Sequence, residues 1–194
     1  MNKKVLFVVQ GAMIAALYVV LTLVANALGL ANYAIQVRFS EALTILPLFT
    51  PAAIPGLFLG CIISNTATGC HILDIVCGSS ATLIGAVCTW YIGRKLEKRI
   101  PMSALRILGA IPPIVANTLI IPPVLIALSD VYHLEGSYLF FTVTVCIGEI
   151  ISCGILGFIL HLALTPHRVR IFGADPVRKA PEQKEKNDPE SITA

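Results

Sequence analysis

Residues 36–65 read QVRFSEALTILPLFTPAAIPGLFLGCIISN, and this stretch is the most informative part of the sequence about the fold. Pro47, Pro51 and Pro55 interrupt the long apolar run that fills most of it. Proline lacks a backbone donor and its ring clashes with the preceding helical turn, so the run cannot form one regular helix. A single helix over residues 40–65 would reach about 39 Å, whereas two full membrane spans need about 40 residues. We therefore predict two short, proline-broken segments, 40–49 and 52–65.

Broken backbone of this kind points to a binding site. At membrane depth it survives only where protein packs around it or where it lines a cavity. The stretch also begins with two charged side chains, Arg38 and Glu41, three residues apart. These features indicate that residues 36–65 help to form a site inside a membrane domain.

The composition indicates an integral membrane protein. Of the 194 residues, 56% are hydrophobic and 13% are charged, whereas soluble domains carry about 25% charged residues. Of the 14 lysines and arginines, all except Arg38 fall at the N-terminus, within residues 94–106 or within residues 168–186. Basic residues concentrate on the cytoplasmic side of a membrane, so this segregation predicts the orientation of the chain. The small net charge of +3 gives no reason to expect a nucleic-acid partner.

The remaining apolar runs complete the predicted architecture. Helices are expected at 5–30, at 73–93, from Pro112-Pro113 onward and at 138–164. If the N-terminus and residues 94–106 are both cytoplasmic, residues 40–65 must cross the membrane an even number of times, as a hairpin does.

We thus predict an all-α integral membrane protein. Residues 1–165 should form a six-helix transmembrane bundle with helices 2 and 3 short and proline-broken. Residues 166–194 are polar, charged and rich in proline, and are expected to be a disordered cytoplasmic tail.

Glu149 is the strongest candidate for a functional side chain, since an ionisable residue within a span is a functional hypothesis by default. It lies about eleven residues, or about 16 Å, into the last helix. Asn117 falls at similar depth on the neighbouring helix, and the alternative is a structural hydrogen bond between the two. No lysine or arginine falls at the same depth in sequence, so a ligand is the expected partner of Glu149.

Three further charged residues are candidates, each with a structural alternative. Arg38 and Glu41 could pair with each other at the outer interface, and Asp74 could cap its own helix. The substrate-binding residues that we predict are Glu149, Asn117, Glu41, Arg38, Asp74 and Asn65.

Metal, cofactor and catalytic chemistry find little support in the sequence. The six cysteines lie mostly in apolar runs and are expected to be packing residues. Cys70, His71, Asp74 and Cys77 could be metal ligands, but a closed site needs three or four convergent ligands, and Cys77 lies a helical turn deeper. No phosphate-binding glycine loop occurs, so any ATP-driven motor must be another chain. We expect neither a metal nor a cofactor, and no enzymatic activity.

Several motifs resemble those of a known family. They are QVRFSEAL at 36–43, LPLFTPAAIPGL at 46–57, LDI at 73–75, PIVAN at 113–117 and Gly148-Glu149. Together they are similar to the QueT family of queuosine-precursor transporters, which are substrate-binding (S) components of energy-coupling factor (ECF) transporters. The resemblance implies a prokaryotic cell-membrane protein with a site open to the outside. It also implies two kinds of partner, a transmembrane coupling subunit and two ATPase subunits.

The first helix carries a stripe of small residues, Gly11, Ala12, Ala15 and Ala16, where another helix could approach closely. The resemblance implies that this stripe, Ala12 and Ala16 in particular, docks on the coupling subunit.

The function that we predict is capture of a 7-deazaguanine, such as 7-aminomethyl-7-deazaguanine or queuine, for ATP-driven uptake. An S component for another vitamin-like compound or for a metal ion is the alternative within the same class. A membrane enzyme is the alternative from a different class.

Overall fold

The computed structural model describes residues 2–30, 37–132 and 136–173, and no strand occurs among them. The helices are α1 (Lys3–Ala27), a 3-10 helix (Phe39–Leu48), α2 (Ala53–Ala67), α3 (Ile72–Leu96), α4 (Met102–Ala127), α5 (Ser129–Tyr132), α6 (Tyr138–Glu149), a π-helical segment (Ile150–Leu156), α7 (Gly157–Leu164), a 3-10 turn (Thr165–His167) and α8 (Arg168–Phe172).

Four helical stretches are long and apolar enough to cross a membrane: Lys3–Ala27, Ile72–Leu96, Met102–Ala127 and Tyr138–Phe172. Large apolar side chains such as Val8, Met13 and Val20 are exposed along their outer faces. Lipid can cover such faces, so the exposure agrees with a membrane setting. The prediction of an all-α membrane protein is therefore confirmed.

The proline-rich stretch forms two short helices, as predicted. The first, Phe39–Leu48, is 3-10 rather than α-helical and contains Pro47. Residues 40–47 are all buried, and the helix contacts α1, α2, α3, α4, the π-helical segment and α7. Ten residues are long for a 3-10 helix, so its surroundings must hold it in place. It is the central element that the other helices surround.

Glycines bring α1 and α2 into contact. A Cβ atom added at Gly60 would lie 2.7 Å from Cβ of Tyr18, and one added at Gly56 would lie 2.7 Å from the carbonyl oxygen of Gly11. Real Cβ atoms do not approach so closely, so both positions require glycine. The close approach positions Tyr18 deep in the bundle.

This packing divides the small-residue stripe of α1. Gly11 is buried against α2, and the carbonyl oxygen of Ala15 would lie 3.1 Å from a Cβ at Gly60. Ala12 and Ala16 are exposed on the other side of the helix. The prediction that all four residues form one docking surface is corrected, because α2 of the same chain covers Gly11 and approaches Ala15.

The prediction that Pro112-Pro113 opens a helix is wrong, since both prolines lie inside α4. Pro113 lacks the N–H that would bond the carbonyl of Gly109. The hydroxyl of Thr89 on α3 donates to that carbonyl instead, at 2.8 Å. A Cβ at Gly85 would lie 2.8 Å from Cα of Pro113, so α3 and α4 pack closely there. Tertiary contacts thus stabilise a helix that local propensity would interrupt.

The boundary predicted at residue 166 also needs correction. Residues 168–172 form α8, and the ring of Phe172 stacks on Phe49 with centroids 5.3 Å apart. Gln10 donates to the carbonyl of Ile171 at 3.2 Å. The first part of the predicted tail is therefore packed against the bundle. Residues 174–194 lie outside the described residues, as does most of the loop after α1.

Candidate functional site

A cleft opens where the 3-10 helix, α4 and α6 meet. Its lining residues are Arg38, Asn117, Ile121, Val145 and Glu149. It contains about 280 Å³ of empty space, counted to its open mouth. Two apolar and three polar side chains converge there from separate elements, which is typical of a small-molecule site. The structure thus brings together three of the six predicted substrate-binding residues.

Glu149 ends α6, and the π-helical segment begins at the next residue. π-helical turns occur frequently at functional sites. The Glu149 side chain is 8% exposed, and its Oε2 accepts a hydrogen bond from Sγ of Cys153 at 3.1 Å. Cys153 also contacts the 3-10 helix, with Sγ 3.4 Å from the carbonyl oxygen of Glu41. A thiol therefore links the last span to the central helix.

Glu41 is the most deeply buried of the predicted carboxyls, at 2% exposure. Its Oε1 accepts a hydrogen bond from the hydroxyl of Tyr18 on α1. Its Oε2 is buried without a hydrogen-bond partner among the described residues. A second link between the same elements joins Thr22 to Ser40 at 2.9 Å. The 3-10 helix is thereby held against α1 with one carboxyl oxygen still available.

Six buried side-chain polar atoms are unpaired in the part of the chain that the structure describes, and they belong to Glu41, Asp74, Trp90, Asn117, Thr118 and Ser152. Leaving a buried donor or acceptor unpaired costs about 1–3 kcal/mol. Of these residues, Asn117 lines the cleft, and Glu41 has a carboxyl oxygen within 4.8 Å of one of Glu149, whereas Asp74 is not part of the lining. A ligand in the cleft could pair with Asn117 and Glu41.

Arg38 contradicts the expectation that no basic side chain accompanies Glu149. It begins the 3-10 helix, which enters the bundle, so its guanidinium lines the same cleft. The carboxyls of Asp74 and Glu41 are both near enough to act electrostatically on this guanidinium. From its position in the sequence, Arg38 was expected at the outer interface. The sequence does not show that the 3-10 helix brings its guanidinium into the cleft.

Two of the structural alternatives for these residues are not observed. Arg38 and Glu41 form no ion pair within residues 37–132, where both are described, and Glu41 is bonded to Tyr18 instead. Asp74 does not cap α3, because the N-cap is His71, whose Nδ1 accepts from the backbone N–H of Leu73 at 3.3 Å. The amide of Asn117 lies near the carboxyls of both Glu41 and Glu149, although its nitrogen has no hydrogen bond of regular geometry among the described residues.

Asn65 lies apart from the cleft lining. It is buried at 3% exposure, and its Nδ2 is 3.5 Å from Sγ of Cys61 on the same helix. A Cβ added at Gly78 would lie 3.3 Å from that nitrogen. Asn65 therefore packs between α2 and α3.

The side chains close enough to share a metal ion differ from those considered in the sequence. Among the described residues they are Glu41, Glu149 and Cys153, with one ligand atom of each within 4.8 Å of the others. Burial raises the pKa of the Cys70 thiol, which disfavours the thiolate that a metal site at the outer loop would need.

Sequence reasoning missed two residues of this site, Tyr18 and Cys153. Cys153 follows Glu149 by four residues, a spacing that places two side chains on one helix face. That spacing could have identified it. Tyr18 carried no such signal, because only the close packing of α1 on α2 brings its hydroxyl to Glu41.

Comparison with known proteins gave one match. The model of a family described as QueT transporter matches residues 8–166, which is most of the chain and includes every residue of the cleft. No curated protein and no solved structure matched.

Proposed function

Because the chain belongs to the QueT transporter family, we propose that it is the substrate-capture (S) subunit of an ECF-type importer. It binds a queuosine precursor from outside, a 7-deazaguanine such as 7-aminomethyl-7-deazaguanine or queuine. The observation that carries this proposal is the cleft lined by Arg38, Asn117 and Glu149, where Nδ2 of Asn117 and Oε2 of the neighbouring Glu41 are unpaired and a polar heterocycle could bind them.

The chemistry of the cleft suits a guanine-like edge. Such an edge presents N–H donors beside a carbonyl acceptor. The carboxyls of Glu149 and Glu41 can accept from N–H groups of the ligand, on the ring or on an amine substituent, and the amide of Asn117 can donate to the carbonyl. Ile121 and Val145 provide apolar contact for the faces of the ring. Each group of the ligand then has a partner in the cleft.

We propose six membrane segments: the four long apolar stretches as full spans, with the 3-10 helix and α2 as a hairpin between the first two, and the helix lengths support this count. The basic residues 94–106 and 168–170 lie on the same side as Lys3 and Lys4 if the hairpin returns the chain. The positive-inside rule then places both termini in the cytoplasm of a prokaryotic cell.

Transport requires partners that this chain does not contain. A transmembrane coupling subunit and two ATPase subunits supply the energy, since the sequence has no phosphate-binding loop. The exposed Ala12 and Ala16 form the flat part of α1 where a helix of the coupling subunit can approach closely.

A metal ion is the second candidate cargo, favoured by the proximity of Glu41, Glu149 and Cys153. A bare cation would use neither the amide of Asn117 nor the apolar side chains of Ile121 and Val145, which line the same cleft. The organic ligand is therefore the better fit.

Calorimetry on the purified chain tests the proposal. Titration of 7-aminomethyl-7-deazaguanine should show saturable binding, and the ligand should be recovered chemically unchanged. Binding of divalent cations without binding of the deazaguanine would favour the metal alternative. Recovery of an altered ligand would indicate an enzyme.

A further inference from the structure

Buried acids outnumber basic groups in and near the cleft. Arg38 and Glu149 line the cleft, Glu41 lies beside Glu149, and Asp74 is a further buried carboxyl near Arg38. The other lysines and arginines belong to the N-terminus, to residues 94–106 or to residues 168–186. One guanidinium therefore accompanies three carboxyls.

Glu41 and Glu149 are the carboxyls whose side-chain hydrogen bonds include no positively charged donor. Their side-chain hydrogen bonds come from neutral donors, the hydroxyl of Tyr18 and the thiol of Cys153. A carboxyl oxygen of one lies within 4.8 Å of a carboxyl oxygen of the other. Two carboxylates this close repel each other unless a proton or a cation lies between them.

The spacing is compatible with an ammonium group between the two carboxyls. Charge-assisted N–H···O bonds measure about 2.7–2.9 Å, and a tetrahedral nitrogen that donates to two oxygens holds them about 4.6 Å apart, which is within the 4.8 Å limit. Arg38 lines the cleft, and Asp74 is a further buried carboxyl near it. A ligand ammonium can thus bridge the two glutamates, with Asn117 left to bind the ring.

We propose, resting on the function proposed above, that the cleft selects a ligand with a protonated amine, whose ammonium bridges Glu41 and Glu149. The site then discriminates among 7-substituted deazaguanines by the charge of the substituent. An aminomethyl compound supplies the missing positive charge. A cyano compound of similar size presents an acceptor to two carboxyls and supplies none.

The test compares two ligands on the wild-type protein by calorimetry, so it does not depend on any variant folding. 7-Aminomethyl-7-deazaguanine should bind about ten- to a hundredfold more tightly than 7-cyano-7-deazaguanine, the effect of one charge-assisted hydrogen bond. Equal affinity for the two would overturn the proposed selectivity and leave the proposed function intact. Binding of neither would refute both.

The Glu41→Gln variant tests which carboxyls are responsible. It should lose more affinity for the aminomethyl compound than for the cyano compound, so that the ratio falls towards one. Asp130→Asn makes the same chemical change at an exposed position and should leave the ratio unaltered. A ratio unchanged in Glu41→Gln would show that the amine does not bind between the two glutamates.

Discussion

Replacement of Glu149 by glutamine tests the site at its most informative position. Glutamine keeps the size of the side chain and one oxygen acceptor, and it exchanges the other acceptor for an N–H donor. Glu149 is 8% exposed and already accepts one hydrogen bond, from the thiol of Cys153 at 3.1 Å. Its remaining acceptor capacity faces the cleft that it lines with Arg38 and Asn117.

The expected loss follows from the bonds that a ligand would make there. Hydrogen bonds to a charged group contribute about 1.5–3 kcal/mol each. One such bond is lost, and a donor is placed opposite a donor, so we expect a loss of roughly 2–4 kcal/mol, or about thirty- to a thousandfold in affinity. Asn117→Ala removes a neutral hydrogen bond and should cost less, about 1–2 kcal/mol.

The assay is titration of 7-aminomethyl-7-deazaguanine into the purified variants, with thermal unfolding as a check on folding. Asp130→Asn serves as the control for an acid-to-amide change outside the cleft. Wild-type affinity in Glu149→Gln would refute the reasoning. Glu149 would then be structural, and the ligand would bind nearer to Arg38, Glu41 and Asp74.

Three further substitutions test packing and assembly. Gly60→Ala should lower stability by about 1–3 kcal/mol in thermal unfolding, because the new Cβ would lie 2.7 Å from Cβ of Tyr18. Gly154→Ala, whose nearest neighbour would lie at 3.8 Å, should be close to neutral, and equal effects would contradict the packing argument. Thr89→Val leaves the carbonyl of Gly109 without its donor and should cost about 1 kcal/mol, unless water replaces the hydroxyl. Ala16→Trp should prevent co-purification with the coupling subunit while ligand affinity is retained; loss of binding with assembly intact would show that this face serves the site.

Hydrophobic pattern and prolines were sufficient to predict the long apolar helices, apart from the start of α4, and the two short helices. Long apolar runs specify spans almost independently of their neighbours, because the bilayer fixes their length. The prolines at 47, 51 and 55 likewise determine a local break. The two short helices could therefore be predicted from the sequence alone, without knowledge of any tertiary contact.

The helix that contains Pro112 and Pro113 could not be recognised in this way. Its continuity depends on the hydroxyl of Thr89, which bonds a carbonyl that Pro113 leaves unpaired. The two partners are far apart in sequence, and periodicity along one helix carries no information about the neighbouring helix.

The site was predicted in part. Glu149 and Asn117 were identifiable because a polar side chain within an apolar membrane span is energetically unfavourable and therefore indicates a functional role. The arrival of Arg38 in the same cleft, and of Tyr18 beside Glu41, depends on how the 3-10 helix enters the bundle. Counting residues along a regular α-helix does not give the depth of a side chain that the 3-10 helix carries.

Whether this chain captures a queuosine precursor can be read from the small molecule that it carries. The protein is purified from the membranes of its own cells, and the bound compound is released and identified by mass spectrometry. We expect an unmodified 7-deazaguanine in near-equimolar amount, reduced in Glu149→Gln. A compound of another class at that stoichiometry, in wild type and variant alike, would show that the chain captures a different cargo.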